Sequence, residues 1–260
     1  MTKTNQSISE KAEGSRQGRI GMSTRHEPLV SLVLVTRRPT FLAGIVGMMA
    51  AQTYRRTELL VVLHGHAEAS LPTAASAALA SCAARVLEAP LAWTLGECMN
   101  AGFDAARGEL VAKVDDDDLY GPAYLGEAVA AFRAGMGEVI GKMQVYVQLV
   151  LTGELLIIWP GACHHEQEYL AGPTLLLTTA LAREVGFRPL AVGSDTAFLE
   201  DCRAAGHRLY ATSRRHFVER RFATSHHTWT ADVDWFQGNG VVVRRDVALD
   251  SAPALLRLVA

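Results

Sequence analysis

The stretch "ELVAKVDDDDLYGP", residues 109–122, runs an apolar segment into four consecutive aspartates and closes on a Gly-Pro pair. "ELVAKV" has the length and composition of a strand, and Gly121-Pro122 is suited to open the helix that follows, with Leu125, Val129 and Phe132 on its inner face. Four adjacent carboxylates repel one another, so water or a cation has to offset them. By itself such a run is most often a solvated acidic turn. What surrounds it decides the matter.

Upstream, strand and helix patterns alternate. "LVSLVLV" (29–35) is a short continuous apolar run, the habit of a buried parallel strand. Pro39 then opens a helix with Phe41, Ile45, Met48 and Met49 on one face. "LLVVL" (59–63), an Ala-rich helical stretch over about 72–84, "RVLEA" (85–89) and a helix carrying Leu95, Met99, Phe103 and Ala106 lead to the strand before the aspartates. This alternation predicts an α/β fold with a doubly wound, mostly parallel sheet. Downstream the pattern becomes mixed. "VIGKMQVYVQLVLTGELLIIW" (139–159) reads as strands with a turn at Thr152-Gly153, and helices are expected near 178–186 and 195–205. Residues 1–27 hold few large apolar residues and read as a disordered leader, with Met22 as an alternative start. A single domain over 28–245 is expected, divided into a nucleotide-type half (28–120) and a mixed half (121–245), with 246–260 as a tail. Residues 231–245 are suited to a lid.

The 260 residues are 49% hydrophobic with a formal net charge of −2. No block of Lys and Arg is dense enough for a nucleic-acid footprint. "SRRHFVERRF" (213–222) is basic enough only to face a small anion. Cys82, Cys98, Cys163 and Cys202 are widely spaced, as free thiols in a reducing compartment would be. Neither a transmembrane run nor a signal-peptide core is present, so a cytoplasmic location is expected. "HHEQEY" (164–169) lacks the HExxH spacing of a zinc peptidase.

In open α/β sheets ligands bind outside the carboxyl ends of the strands, where Asp115 to Asp118 are expected. Strand alternation would put Asp115 and Asp117 on one side, about 6–7 Å apart, and turn Asp116 away. Its loss is then expected to be mild. Two carboxylates on one side suit a sugar hydroxyl and a hard cation, Mg²⁺ or Mn²⁺. Three further features point to chemistry. In "SDTAFLEDCRAAGHRL" (194–209), Ser194 can cap a helix whose first turn carries Asp195. His226 and His227 in "HHTW" can supply an imidazole to a metal. Gly172 in "LAGPTLL" allows a close backbone approach. Trp93 and Trp159 suit a core or cleft wall, whereas Trp229 and Trp235 lie nearer the acceptor side.

In order and separation, these segments resemble glycosyltransferase family 2, nucleotide-sugar-dependent enzymes with a Rossmann-like GT-A fold. The matching segments are "VSLVLVTRRPTFL", "QTYRRTELLVV", "LGECMNAGFDAARGELVAKVDDDDLYGP", "LAGPTLL" and "GSDTAFLEDCRAAGHRL", and the resemblance covers roughly residues 29–230. It implies a nucleotide-sugar-binding set of Thr36, Arg37, Arg38, His64, Asn100, Lys113, Asp115 and Asp116. It also implies Asp117 and His227 as metal contacts, Asp118 as their support, Asp195 as general base, and Gly172 and Trp229 on the acceptor side. The implied reaction is inverting, metal-dependent transfer of a hexosyl-type group from a nucleoside-diphosphate sugar to an acceptor hydroxyl. A homodimer is compatible with it. Two positions depart from the family pattern: His64 stands where many members place a uracil-reading Asp, and Ser194 replaces the acidic neighbour of the catalytic Asp. A sugar nucleotidyltransferase and a degenerate, non-catalytic binding protein are the alternatives. The first would need a Gly-rich triphosphate loop, which "TRRPTFL" is not.

Overall fold

A computed structural model describes residues 26–223, 229–248 and 251–260. The amino-terminal half follows the expected alternation. Strand β1 (Val30–Thr36) leads through a short 3₁₀ turn at Pro39 into helix α1 (Leu42–Ala50). Then come β2 (Thr57–His64), α2 (Thr73–Ser81), β3 (Arg85–Ala89), α3 (Leu95–Ala105) and β4 (Leu110–Val114). Thr94 and Glu97 form a reciprocal capping box at the start of α3, which fixes where that helix begins. Strands β3, β2, β1 and β4 lie side by side and parallel, with Leu34 opposite both Val61 and Val114. Their carboxyl ends therefore share one edge, and β1, β2 and β4 deliver Thr36, His64 and Asp115 to it.

The second half is mixed, as expected, with more short strands than hydropathy disclosed. After β5 (Leu119–Tyr120) and α4 (Tyr124–Arg133) come β6 (Val139–Gly141), β7 (Val145–Leu149) and β8 (Glu154–Ile158). Gly153 turns the β7–β8 hairpin at a positive φ of 69°, where a side chain would be strained. Next are β9 (His165–Gln167), β10 (Leu176–Thr178), α5 (Thr179–Val185), α6 (Ser194–Ala204), β11 (Leu209–Ala211) and β12 (Phe217–Arg221). The chain closes with α7 (Val233–Asn239), β13 (Gly240–Arg244) and α8 (Ala252–Leu258).

Among the described residues the strands form two sheets, ordered β3-β2-β1-β4-β10-β6-β11-β9 and β13-β8-β7-β12-β5. Strand β10 runs antiparallel to both β4 and β6, so the 170–178 segment crosses beside the end of β4. One apolar cluster joins the sheets, running from Leu32 and Val61 through Tyr120 and Tyr124 to Val147, Phe217 and Phe236. Two expectations are revised. Much of residues 231–245 is laced into the structure, because β13 pairs antiparallel with β8. The expected carboxyl-terminal tail instead packs Leu255 and Val259 of the α8 region against Leu119, Leu155 and Val218. No helix among the described residues is long and apolar enough to cross a membrane.

Candidate active site

The two faces of β4 set the site. Leu110, Ala112 and Val114 pack into the cluster on the α1 side, whereas Val111 faces the α3, α5 and α6 side with Phe198, Leu199 and Cys202. Alternation carries Lys113 and Asp115 onto the Val111 face, toward α6. The Lys113 side chain is 1% exposed, and its Nζ lies 2.6 Å from Asp115 Oδ1 and 3.5 Å from Asp195 Oδ2. Burial works against the ammonium, yet Asp115 and Asp195 outweigh it and hold the Lys113 pKa above the ordinary lysine value. The structure thus brings together two residues 82 positions apart in sequence that were expected on opposite sides of the reaction.

Asp195 sits in the first turn of α6, as expected. Ser194 is not its cap but the first helical residue, preceded by Gly193 in a left-handed conformation with φ 78°. A glycine tolerates that conformation, and the change of direction points the first turn at β4. The Asp195 side chain keeps 24% of its surface accessible, while its Oδ1 is buried and has no hydrogen-bond partner among the described residues. Burial pushes the carboxyl above the ordinary range, Lys113 pulls it back, and Asp115 adds to the rise. A carboxylate held by one cation and otherwise short of donors is more basic than a surface aspartate.

Gly172 packs directly on that carboxylate. A Cβ built there would overlap Asp195 Oδ2 and lie 2.9 Å from Asp195 Cβ. Gly172→Ala is therefore expected to displace the carboxylate, which on the reading proposed below lowers turnover by about 100-fold, the scale of an ångström's misplacement, with nucleotide affinity unchanged. Steady-state kinetics beside a binding titration check this. The same segment is fixed by Tyr120, whose buried hydroxyl donates to Pro173 O at 2.9 Å and accepts from the Asp115 amide at 3.0 Å.

The aspartate run does not alternate as a strand would. The β4 ladder ends at Val114, and the chain bends through 116–118 before β5, so no pleat dictates the directions of these side chains. Asp116 does not turn away into solvent. It is buried, accepts from Thr36 Oγ1, and is paired with Arg38 through both carboxylate oxygens, with Arg38 Nε donating to Oδ2 at 3.2 Å. Arg38 also reaches Asp117, with Nη1 2.9 Å from Oδ2. Asp118 is buried and accepts from the Arg220 amide at 2.9 Å, which ties the run to β12.

The expectation that Asp116 turns away is therefore corrected, and its loss is expected to be felt in stability. Asp116→Ala would leave Thr36 and Arg38 without their common acceptor. It should cost about 3 kcal/mol, the low end for a broken buried pair because Arg38 retains Asp117. Denaturant midpoints measure it.

Arg37 and His64 form the corner beside β2. Arg37 Nε donates to His64 Nδ1 at 3.0 Å, and burial followed by the Arg37 charge pushes the His64 pKa down, toward a neutral imidazole. Asn100 is engaged elsewhere: its amide donates to Phe187 O at 2.9 Å and its carbonyl accepts from Phe187 N at 2.8 Å, clamping α3 to the segment after α5. Trp229 is 44% exposed and stacks on Arg221, whose guanidinium carbon lies 5.1 Å from the ring centroid. Arg221 Nη1 lies 3.6 Å from Glu219 Oε1, connecting Trp229 to β12. His226 and His227 lie outside the described residues.

Sequence reasoning missed Glu219, Tyr120 and the Asp116–Arg38 pair. Glu219 is pushed up to about 7 by burial, with Asp117 and Asp115 adding to the rise against Arg221. Asp117 and Asp118 are likewise raised by burial first and then by neighbouring carboxylates. Among the described residues no group of three or more His, Cys, Asp or Glu is arranged to hold a metal ion; Asp115, Asp117, Asp118 and Glu219 are the oxygen donors that a hard cation would use here.

Comparison with known proteins bears on the fold and the family. Among solved structures, S. aureus TarS 1–349 in complex with UDP-GlcNAc superposes with a TM-score of 0.58 at 17% identity, covering 78% of this chain and 61% of that one. The mannosyltransferase PcManGT from Pyrobaculum calidifontis, in complex with GDP-Man and Mn²⁺, gives a TM-score of 0.55 at 14% identity, covering 76% and 58%. The chain thus spans about three-fifths of the length of these neighbours and shares their GT-A fold. No curated protein sequence matches it. The sequence model described as "Glycosyl transferase family 2" matches residues 32–174, from β1 through the aspartate run to Gly172 and the turn after it, and the chain belongs to that family.

Proposed function

We propose that the protein transfers a sugar from a nucleoside-diphosphate sugar to an acceptor hydroxyl with inversion at the anomeric carbon. Asp195 acts as general base and Asp117 as the protein's ligand to Mn²⁺ or Mg²⁺. The observation that carries this reading is the position of Asp195. A basic, partly accessible carboxylate with one orphaned oxygen faces the end of β4 across a single lysine. A sugar nucleotidyltransferase would need the Gly-rich triphosphate loop that residues 36–42 lack, and a non-catalytic binding protein would not need a base.

On this reading Asp115 accepts from the donor's ribose, and Thr36, Arg37 and His64 border the nucleoside. Arg38 and Asp116 hold the loop after β1. A bound cation would supply neutralisation of the diphosphate as it departs. Asp195 takes the proton from the acceptor hydroxyl as the new bond forms, which asks only for a base poised near the working pH. Trp229, a flat apolar surface beside Arg221, suits an acceptor sugar ring. The neighbours' GDP-Man and UDP-GlcNAc are compatible with either base class, and the His64–Arg37 corner offers donors where a uracil-reading carboxylate would accept.

A thermal-shift screen of UDP, GDP, CDP, ADP and dTDP with and without Mn²⁺ tests the nucleotide part. At least one should raise the melting temperature in a metal-dependent way. No shift with any of the five would overturn it.

A further inference from the structure

Lys113 is the only residue of β4 whose side chain bears a charge, and it is among the most deeply buried side chains of the chain. An ammonium in that position is retained only if its charge is fully compensated. Its compensation comes from two different elements: Asp115, just past the end of β4, and Asp195, in the first turn of α6. Both pairs use one nitrogen. A change in the charge or position of one carboxylate must therefore be felt by the other.

We propose that Lys113 is a positioning residue which joins the nucleoside-side carboxylate Asp115 to the base Asp195, so that one buried cation fixes the placement of both. This rests on the transferase reading above and reassigns Lys113 from donor contact to coupler. The geometry supports the change: Lys113 is buried beneath both carboxylates, whereas Asp115 keeps 35% of its side chain accessible for a ligand. Gly172 and Tyr120 close the cluster from the 170–174 segment and β5. The charged and titratable groups that face Asp195 are Lys113 and Asp115 from the β4 side and Tyr169 from the segment before Gly172. Of these, Lys113 alone favours the ionised base.

Opposite signs follow for the two partners. Removing the lysine charge leaves Asp195 buried beside Asp115 without a counterion, so it gains its proton at higher pH. Removing the Asp115 charge takes a repelling neighbour from Asp195 and leaves it a larger share of Lys113, beside Asp118 and Glu219, so the base stays ionised to lower pH. The readout is the pH profile of turnover of the responsive nucleotide sugar, at saturating donor in Mn²⁺, in the full-length protein.

Lys113→Met should move the acid limb upward by about one pH unit or more, roughly a tenfold change in proton affinity. It should regain rate as pH rises. Asp115→Asn, which does not depend on Lys113→Met folding, should move the limb downward. An Asp115→Asn limb that stays in place or rises overturns the proposal, as does a pH-independent loss in a folded Lys113→Met protein. If the wild type binds no nucleoside diphosphate at any pH, the transferase reading falls and this inference with it. If the wild type turns over donor while both limbs stay put, only the inference falls.

Discussion

Asp195→Asn is expected to lower turnover by about 10²–10⁴-fold, the range of a lost general base, while leaving nucleoside-diphosphate affinity within a few-fold of wild type. The amide preserves shape, so packing against Gly172 survives. It removes the charge that Lys113 shares and the site that accepts the acceptor's proton. The wild-type rate should also fall on acidification at a pH above the ordinary carboxylate range, because burial raises the Asp195 pKa further than Lys113 lowers it. The sign is fixed by the mechanism: the base works ionised, so activity is present above its pKa and lost as pH falls through it. A variant that keeps wild-type turnover would remove Asp195 from the chemistry. One that loses nucleotide binding together with turnover would make it structural.

The second large effect is expected at Asp117. Asp117→Asn should abolish the metal-dependent part of nucleotide affinity, a loss of about 100-fold or more, since replacing even outer groups of a metal site costs 10–100-fold. Calorimetric titration of nucleoside diphosphate with and without Mn²⁺ measures it. Without the cation the variant should bind as wild type does, because Asp117 is then engaged with Arg38 and not with the ligand. Asp116 gives the contrasting result. Its substitution should act through stability and the loop after β1, since both its oxygens are committed to Thr36 and Arg38. The four aspartates thus divide by partner: Asp115 to Lys113, Asp116 and Asp117 to Arg38, and Asp118 to the β12 backbone.

The parallel half was legible because β1 and β2 are largely buried on both faces and show it as mostly apolar runs, and the Thr152-Gly153 hairpin because its turn requires a positive φ. The two-residue β5 and the three-residue β9 and β10 carry too few side chains for any periodicity. Asp115, Asp117 and Asp195 were legible as acids at a strand end and in a first helical turn. The direction of Asp116 was not, because alternation was extended past Val114, where the ladder stops. Lys113 carried a readable signal, a charge inside an apolar strand two residues before an acid. Its second partner came from α6, and no local pattern names a partner 82 residues away. Glu219 was hidden within an Arg-rich stretch that reads as anion-facing. In the structure Arg221 meets Glu219 and Trp229, Arg214 donates to the Tyr146 hydroxyl, and the Arg220 guanidinium lies over the Phe222 ring with its Nε unpartnered among the described residues.

The central claim is sugar transfer from a nucleotide donor with Asp195 as base. Release of nucleoside diphosphate from a panel of nucleotide sugars in Mn²⁺, measured for wild type and Asp195→Asn, tests it most directly. The account predicts release by the wild type from at least one donor and a loss of about 10²-fold or more in a variant that still binds the same nucleotide. Equal release by both proteins, or binding without release from any donor by the wild type, would contradict it.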